Sequence, residues 1–182
     1  MIETQRLLIR PFKPEDWRDL YEYLSDPAVV FYEPYGVFSE EASRAEAARR
    51  ARDASFLAVV RKEDRKLIGN LYLAKQELDT WELGYVFSTQ AQGRGYATEA
   101  AQAAVDFVIR RRGARRIVAA CSTENEKSWK LLERLQMRRE GHALQTVYFK
   151  TDALGRPIWL DTYAYGILAS EWLARKEQSK TK

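Results

Sequence analysis

The sequence predicts an α+β fold of mixed α/β type: one domain with a mainly antiparallel, twisted sheet of about seven strands and helices on both faces. Three observations carry this. Residues 55–61, 67–75 and 81–88 are short runs of aliphatic and aromatic residues separated by polar turns, the pattern of an antiparallel meander. The later runs 116–121, 141–150 and 158–168 alternate with segments of helical periodicity, so helices split the sheet. A length of 182 residues at 46% hydrophobic content supports one sizeable core and is short for two. The domain is expected over residues 1–176, with a charged, frayed tail at 177–182.

In chain order, residues 6–12 read as the first strand. Pro14 suits a first helical turn, and Trp17, Leu20, Tyr21 and Leu24 recur at helical spacing until Asp26-Pro27 stops them. Ser39 starts a second helix, because its hydroxyl can cap and Glu40 and Glu41 suit the positive end of the dipole; the helix ends near Arg52. The turn Lys62-Glu63-Asp64-Arg65-Lys66 joins two strands as a hairpin. Ala97, Ala101, Ala104, Val105 and Val108 form one apolar helical stripe that Gly113 terminates. A short buried strand at 116–121 leads to a helix from about Asn125 to Leu135, and the turn from Asp152 to Pro157 joins the last two strands.

No apolar run approaches the roughly 18 residues of a membrane span, and the N-terminus lacks a signal-peptide core, so a soluble, cytoplasmic protein without a membrane partner is expected. One cysteine excludes an internal disulfide and a multi-cysteine zinc site, and one histidine cannot build a His-based one; no metal is expected. The net charge of +4 comes partly from arginine clusters at 49–52 and 110–116. Yet 26 acidic residues are mixed among 30 basic ones, which argues against a nucleic-acid partner and for solvated helix ends.

The most informative stretch is Gln90-Ala91-Gln92-Gly93-Arg94-Gly95-Tyr96-Ala97, which an apolar run enters and an alanine-rich helical pattern leaves. Two glycines one residue apart let the backbone turn sharply, and successive amides at a helix N-terminus attract anions. A Walker loop is absent, and Thr98 stands where a dinucleotide fingerprint needs its third glycine. Nor does an acidic residue end a second strand about 20 residues on, so a nicotinamide cofactor is not expected.

The remaining pattern, Q-x-x-G-x-G before an alanine-containing helix, resembles the pyrophosphate loop of the GNAT superfamily of N-acetyltransferases. A second segment from Cys121 to Glu133 resembles the family's later strand-to-helix stretch, with Asn125 and Ser128 at its N-x-x-S spacing. The opening from Glu3 to Phe12 and the run Gly95-Tyr96-Ala97-Thr98-Glu99-Ala100 are similar to the RimJ/RimL-like branch. Together the resemblance covers roughly residues 2–172.

The resemblance implies acetyl-CoA as co-substrate and direct attack by a primary amine in a ternary complex. The cofactor would lie where the strands at 81–88 and 116–121 splay apart, its pyrophosphate held by Gln92, Gly93, Arg94, Gly95, Tyr96 and Ala97. Glu82 matches the family's strand carboxylate and is expected as base or proton relay; the competing reading is a solvent-facing glutamate. Backbone amides at Val86 or Phe87, in the manner of a family bulge, would bind the thioester oxygen. Asn125 and Ser128, three apart on one helix face, would reach the pantetheine or thiol, while helix capping is their alternative. Two departures stand out. Leu132 replaces the family's general-acid tyrosine, leaving Ser128, water or spontaneous departure of the thiolate, and Gln136 replaces the glycine that ends this helix.

The acceptor is the least legible part. Phe31, Tyr32, Tyr35 and Phe38 around Glu33 form an aromatic, turn-prone segment, with Tyr32, Glu33 and Tyr35 as candidate acceptor contacts. Packing over the core is the other reading, as sheet packing is for Tyr148, Tyr163 and Tyr165. Cys121 reads as a core thiol and His142 as an ordinary strand histidine. An α-amine, with a pKa of about 8, needs less help to become neutral than an alkyl ammonium at about 10.4. The acceptor is thus a peptide N-terminus or a small-molecule amine. A catalytically impaired CoA-binding protein and a nucleic-acid-associated protein are the competing functions, and monomer and homodimer both remain open.

Overall fold

The structure, a computed structural model, describes residues 1–178. Its strands are β1 (Ile2–Glu3), β2 (Leu7–Pro11), β3 (Phe56–Arg61), β4 (Leu67–Lys75), β5 (Thr80–Phe87), β6 (Arg116–Ser122), β7 (Arg138–Thr151) and β8 (Pro157–Leu168). The helices are α1 (Trp17–Leu24), α2 (Glu40–Arg50), α3 (Tyr96–Arg112), α4 (Glu126–Arg134) and α5 (Ala169–Gln178). The described strands form one eight-stranded sheet in the order β1-β2-β3-β4-β5-β6-β8-β7. Every neighbouring pair is antiparallel except β5 with β6.

Alternation along the strands divides the core in two. Leu7, Ile9, Val59, Leu71, Leu73, Leu83, Phe87, Ile117 and Ala119 face α3, α4 and α5, meeting Ala100, Ala104, Val108, Leu131 and Trp172. The other face, through Ala58, Val60 and Val86, packs on Leu20, Tyr23 and Leu24 of α1 and Ala47 of α2. Helices therefore cover both faces.

The local signals act as their chemistry requires. Ser39 Oγ accepts from Ala42 N at 3.1 Å and caps α2. Gly113 ends α3 at φ +69°, a conformation that glycine adopts without a Cβ penalty. Gln136, which stands where a glycine would be comfortable, leaves α4 at φ +59°.

Some expectations shift. Pro14 opens a 3₁₀ turn, Pro14–Asp16, and α1 begins only at Trp17. The strand β6 is not uniformly buried: Ile117 and Ala119 are buried on the face covered by α3, α4 and α5, Cys121 farther along that face is half-buried, and Ala120 is exposed on the opposite face, beyond the cover of α1 and α2. β1 and α5 are additions. Since α5 runs through Gln178, residues 177 and 178 of the expected tail are helical, and 179–182 lie outside the described residues.

Candidate active site

The sheet opens where its one parallel pair ends. β5 and β6 are in register at Thr80–Arg116, Trp81–Ile117 and Glu82–Val118, and both strands continue past this point unpaired with one another. The result is a wedge between residues 83–87 of β5 and 119–122 of β6. The backbone groups lining it follow from register. Gln76 N donates to Thr80 O and Ser88 N to Ile68 O, which makes the even-numbered residues of β5 the hydrogen-bonded partners of β4. The N–H groups of Leu83, Tyr85 and Phe87 then face the wedge.

The register distinguishes the two amides named as alternatives. Val86 pairs with Asn70, its amide is spent within the sheet, and the β4–β5 register runs from Lys75–Trp81 to Gly69–Phe87 without a shift, so no bulge re-aims it. Phe87 keeps its amide toward the opening, and its carbonyl accepts from Gln92 Nε2 at 3.1 Å.

Glu82 stands at the apex of the wedge, half-buried, on the face shared with Gly84 and Val86, and Gln76 Nε2 donates to its Oε2 at 3.0 Å. Tyr85 lies on the opposite face. Its hydroxyl meets the carbonyl and the Oγ of Ser128 on α4, both at 2.9 Å, and so joins the two walls. Sequence reasoning missed this residue: alternation gives its face, but only the tertiary fold brings Ser128 to it. Cys121 lies nearby, its thiol pushed up by burial and partly offset by Ser128 and Arg139.

At the open end, Gly93 (φ +75°) and Gly95 (φ +79°) turn the chain into the N-terminus of α3. Gln92 N donates to Thr89 O and is used by the preceding turn; the amides from Gly93 to Ala97 have no acceptor in the fold among the described residues. Such a row of unsatisfied donors at a helix N-terminus suits a diphosphate. Cations surround it. Arg6 donates to the Arg94 carbonyl at 3.0 Å, pairs with Glu99 and covers the Tyr96 ring, while Lys127 of α4 donates to Gln92 Oε1 at 2.8 Å. Arg94 itself is exposed.

Asn125 caps α4, its Oδ1 accepting from Ser128 N at 3.2 Å. Capping thus occupies its side-chain oxygen and leaves the amide N–H₂ for a ligand. Leu132 is 1% exposed within the core, so this position offers no group to the wedge.

The segment between α1 and α2 reaches the far side of the wedge. Tyr32 donates to Glu124 O at 3.1 Å, just before the cap of α4, and Lys150 of β7 lies over Phe31 with its Nζ 3.5 Å from Val30 O. Glu33 is half-buried; burial holds its carboxyl above the usual range, partly offset by Tyr35 and by Arg50. Arg50, 2% exposed, donates to Glu46 and Asn70, and Tyr23 donates to the same Asn70 oxygen. Tyr35 and Phe38 pack edge to face at 5.3 Å beside the second core. Of this segment, Tyr32 thus reaches toward α4, Glu33 and Tyr35 meet each other and Arg50, Phe38 is a packing residue and Phe31 is exposed.

Other expected features have local partners. His142 meets Tyr163 edge to face, ring centroids 5.0 Å apart. Within the arginine clusters, Arg49 and Arg50 pair with Glu46, Arg110 with Asp106 and Arg116 with Glu140. No group of metal-ligating side chains is found among the described residues.

A parallel pair that parts in the middle of a mainly antiparallel sheet, with a glycine turn feeding the next helix, defines an acyltransferase of the GNAT class. Residues 6–138 match the family model for the acetyltransferase (GNAT) domain, and the chain belongs to that family. It is 39% identical over 173 residues to an uncharacterized N-acetyltransferase, YnaD, of Bacillus subtilis, covering 94% of this chain and 98% of that protein. An acetyltransferase of the GNAT family from Bacillus anthracis has a TM-score of 0.85 at 35% identity, with 93% and 98% of the two chains covered. The fold extends to spermidine N-acetyltransferase from Vibrio cholerae, solved with CoA and spermine, at a TM-score of 0.77 and 20% identity over 93% and 99% of the chains. The protein is an acetyltransferase.

Proposed function

We propose that the chain transfers an acetyl group from acetyl-CoA to a primary amine by direct attack in a ternary complex. One observation carries the reading: the wedge past Glu82 and Val118 connects the unsatisfied amides of the glycine turn with the face that bears Glu82. Acetyl-CoA fits this arrangement. Gly93, Gly95, Tyr96 and Ala97 would donate to its diphosphate, with Arg94 and Lys127 supplying charge. The Phe87 amide, not that of Val86, would polarise the thioester carbonyl.

Glu82 would take the proton that the amine loses, directly or through water, and Ser128 would meet the departing sulfur. Tyr32, Glu33 and Tyr35 would receive the acceptor, the Glu33 carboxylate drawing an ammonium toward the wedge. The sequence motifs at residues 3–12 and 95–100 favour a RimJ/RimL-like enzyme and hence a peptide α-amine, with small-molecule amines as the second acceptor class. Among the described residues no helix is long and apolar enough to cross a membrane.

The test is mass-spectrometric detection of acetylated products from peptide and amine libraries with acetyl-CoA. Products in either library support the reading. Tight acetyl-CoA binding with no product in any library would instead make the chain a CoA-binding protein.

A further inference from the structure

Where the family usually places a tyrosine on the helix after its strand, this chain has Leu132, closed into the core at 1% exposure. A phenol nevertheless reaches the same wedge from the opposite wall. Tyr85 extends from β5 across the unpaired height of β5 and β6, and its Oη lies 2.9 Å from Ser128 O and 2.9 Å from Ser128 Oγ. The two hydroxyls stand beside the Cys121 thiol, on the face turned toward α3 and α4.

We propose that Tyr85 is a positioning residue for acetyl transfer, acting through the Ser128 hydroxyl to hydrogen-bond the sulfur as it leaves the acetyl group. The inference rests on the acetyltransferase reading above.

One phenolic proton faces two acceptors at equal distance. The carbonyl can only accept, so with Tyr85 donating to Ser128 O the Ser128 Oγ–H can return a bond to Oη. Turning about the Cζ–Oη bond swings the phenolic proton to Oγ with no heavy atom moving. The Ser128 proton is then free to turn toward sulfur, and Tyr85, Ser128 and the leaving group form a chain of donors. Burial raises the phenol above its ordinary range, which keeps it protonated as a donor near neutral pH.

The step balances without any further reactant. The amine nitrogen bonds to the acetyl carbon, the C–S bond breaks, and its electron pair stays on sulfur. Sulfur takes the Ser128 proton, Ser128 takes that of Tyr85, and Tyr85 recovers one from water. The proton that nitrogen sheds passes to water by way of Glu82.

The test uses full-length wild type, Tyr85→Phe, Ser128→Ala and the double variant. Phenylalanine keeps the ring in the wedge and removes only Oη. Expected for Tyr85→Phe is a fall in kcat of about 100-fold, the low end of general-acid effects, with little change in KM for acetyl-CoA. The double variant should be no slower than Ser128→Ala, because residues acting as a unit do not add. Calorimetry supplies a readout apart from turnover. Wild type should bind CoA more tightly than desulfo-CoA, and Tyr85→Phe should lose that preference.

Unchanged kcat in Tyr85→Phe, or losses that multiply in the double variant, would overturn the proposal and leave Tyr85 as a tie between β5 and α4. Should Tyr85→Phe not fold, Ser128→Ala decides alone: loss of the preference for sulfur is expected, and its retention overturns the proposal. Wild type that neither binds acetyl-CoA nor yields product would overturn the acetyltransferase reading itself.

Discussion

Glu82 and Val118 form the last parallel pair between β5 and β6, so the strand bearing the carboxylate parts from its neighbour at that residue. Glutamine at position 82 would keep the shape and could still accept from Gln76, but it cannot take up a proton. We expect Glu82→Gln to lower kcat by about 100-fold or more while acetyl-CoA affinity holds. Steady-state kinetics beside calorimetry makes the comparison, and full turnover in the variant removes Glu82 from the chemistry.

Gly95 sits at φ +79° and ψ 0° on the threshold of α3. An alanine there pays about 1 kcal/mol for the left-handed conformation or shifts the turn, and its amides with it. Gly95→Ala should therefore bind acetyl-CoA about 10-fold more weakly, which corresponds to about 1.4 kcal/mol. Gly113→Ala is the control: it meets the same strain at φ +69° at the far end of the helix. It should lower the melting temperature without touching affinity, and equal affinity losses in both variants would refute the assignment of the turn.

Glu33 sets a pH dependence whose sign follows from burial. Its carboxyl titrates higher in the folded chain than in the unfolded one, so between those two values the native state holds more protons. Its contribution to stability is full below the ordinary carboxylate range and is lost as pH rises through the folded value. Glu33→Gln should accordingly stabilise the protein at neutral pH, with the gain fading in acid. Urea melts across that range test this, and a gain that grows toward low pH would contradict it.

Gln136 leaves α4 at φ +59°, its side chain exposed, its amide donating to Glu133 O at 2.8 Å and its carbonyl accepting from Arg175 at 2.6 Å. Glycine keeps that carbonyl and removes the Cβ penalty. Gln136→Gly should stabilise by about 1 kcal/mol, raising the melting temperature by about 2–4 °C. A lower melting temperature would show that the strain is compensated elsewhere.

Much of this molecule was legible in its residues because local chemistry and tertiary fold agree. Ser39, Gly113 and the alternation along residues 55–88 each carry a signal that needs no distant partner. Illegible features depend on distance or lack punctuation. β1 is two residues long, and α5 follows directly on Leu168, where the start of the helix is held by Glu171 Oε2 accepting from Leu168 N at 2.9 Å, a glutamate that reads as no helix signal without a Ser, Thr, Asp or Asn three residues before it. At the site, the glycine turn and Asn125 could be found by spacing. The choice between the amides of Val86 and Phe87 stayed open because which amides face the wedge depends on pairing with β4, and side-chain types do not encode that register. Tyr85 looks like any alternating strand aromatic until Ser128 is placed opposite.

The bond from Tyr32 to the Glu124 carbonyl ties the segment between α1 and α2, the acceptor wall proposed above, to the residue preceding the Asn125 cap. Pantetheine drawn in along α4 would tug on that tether, so the enzyme's two substrates would not be strangers to each other. Whatever factor acetyl-CoA lends to amine affinity, the amine must return. Titrating each ligand with and without the other measures this reciprocity, and Tyr32→Phe should uncouple them; equal coupling in the variant would place the linkage elsewhere. A single phenol would thus let each substrate feel the other in a reaction whose atoms it never touches.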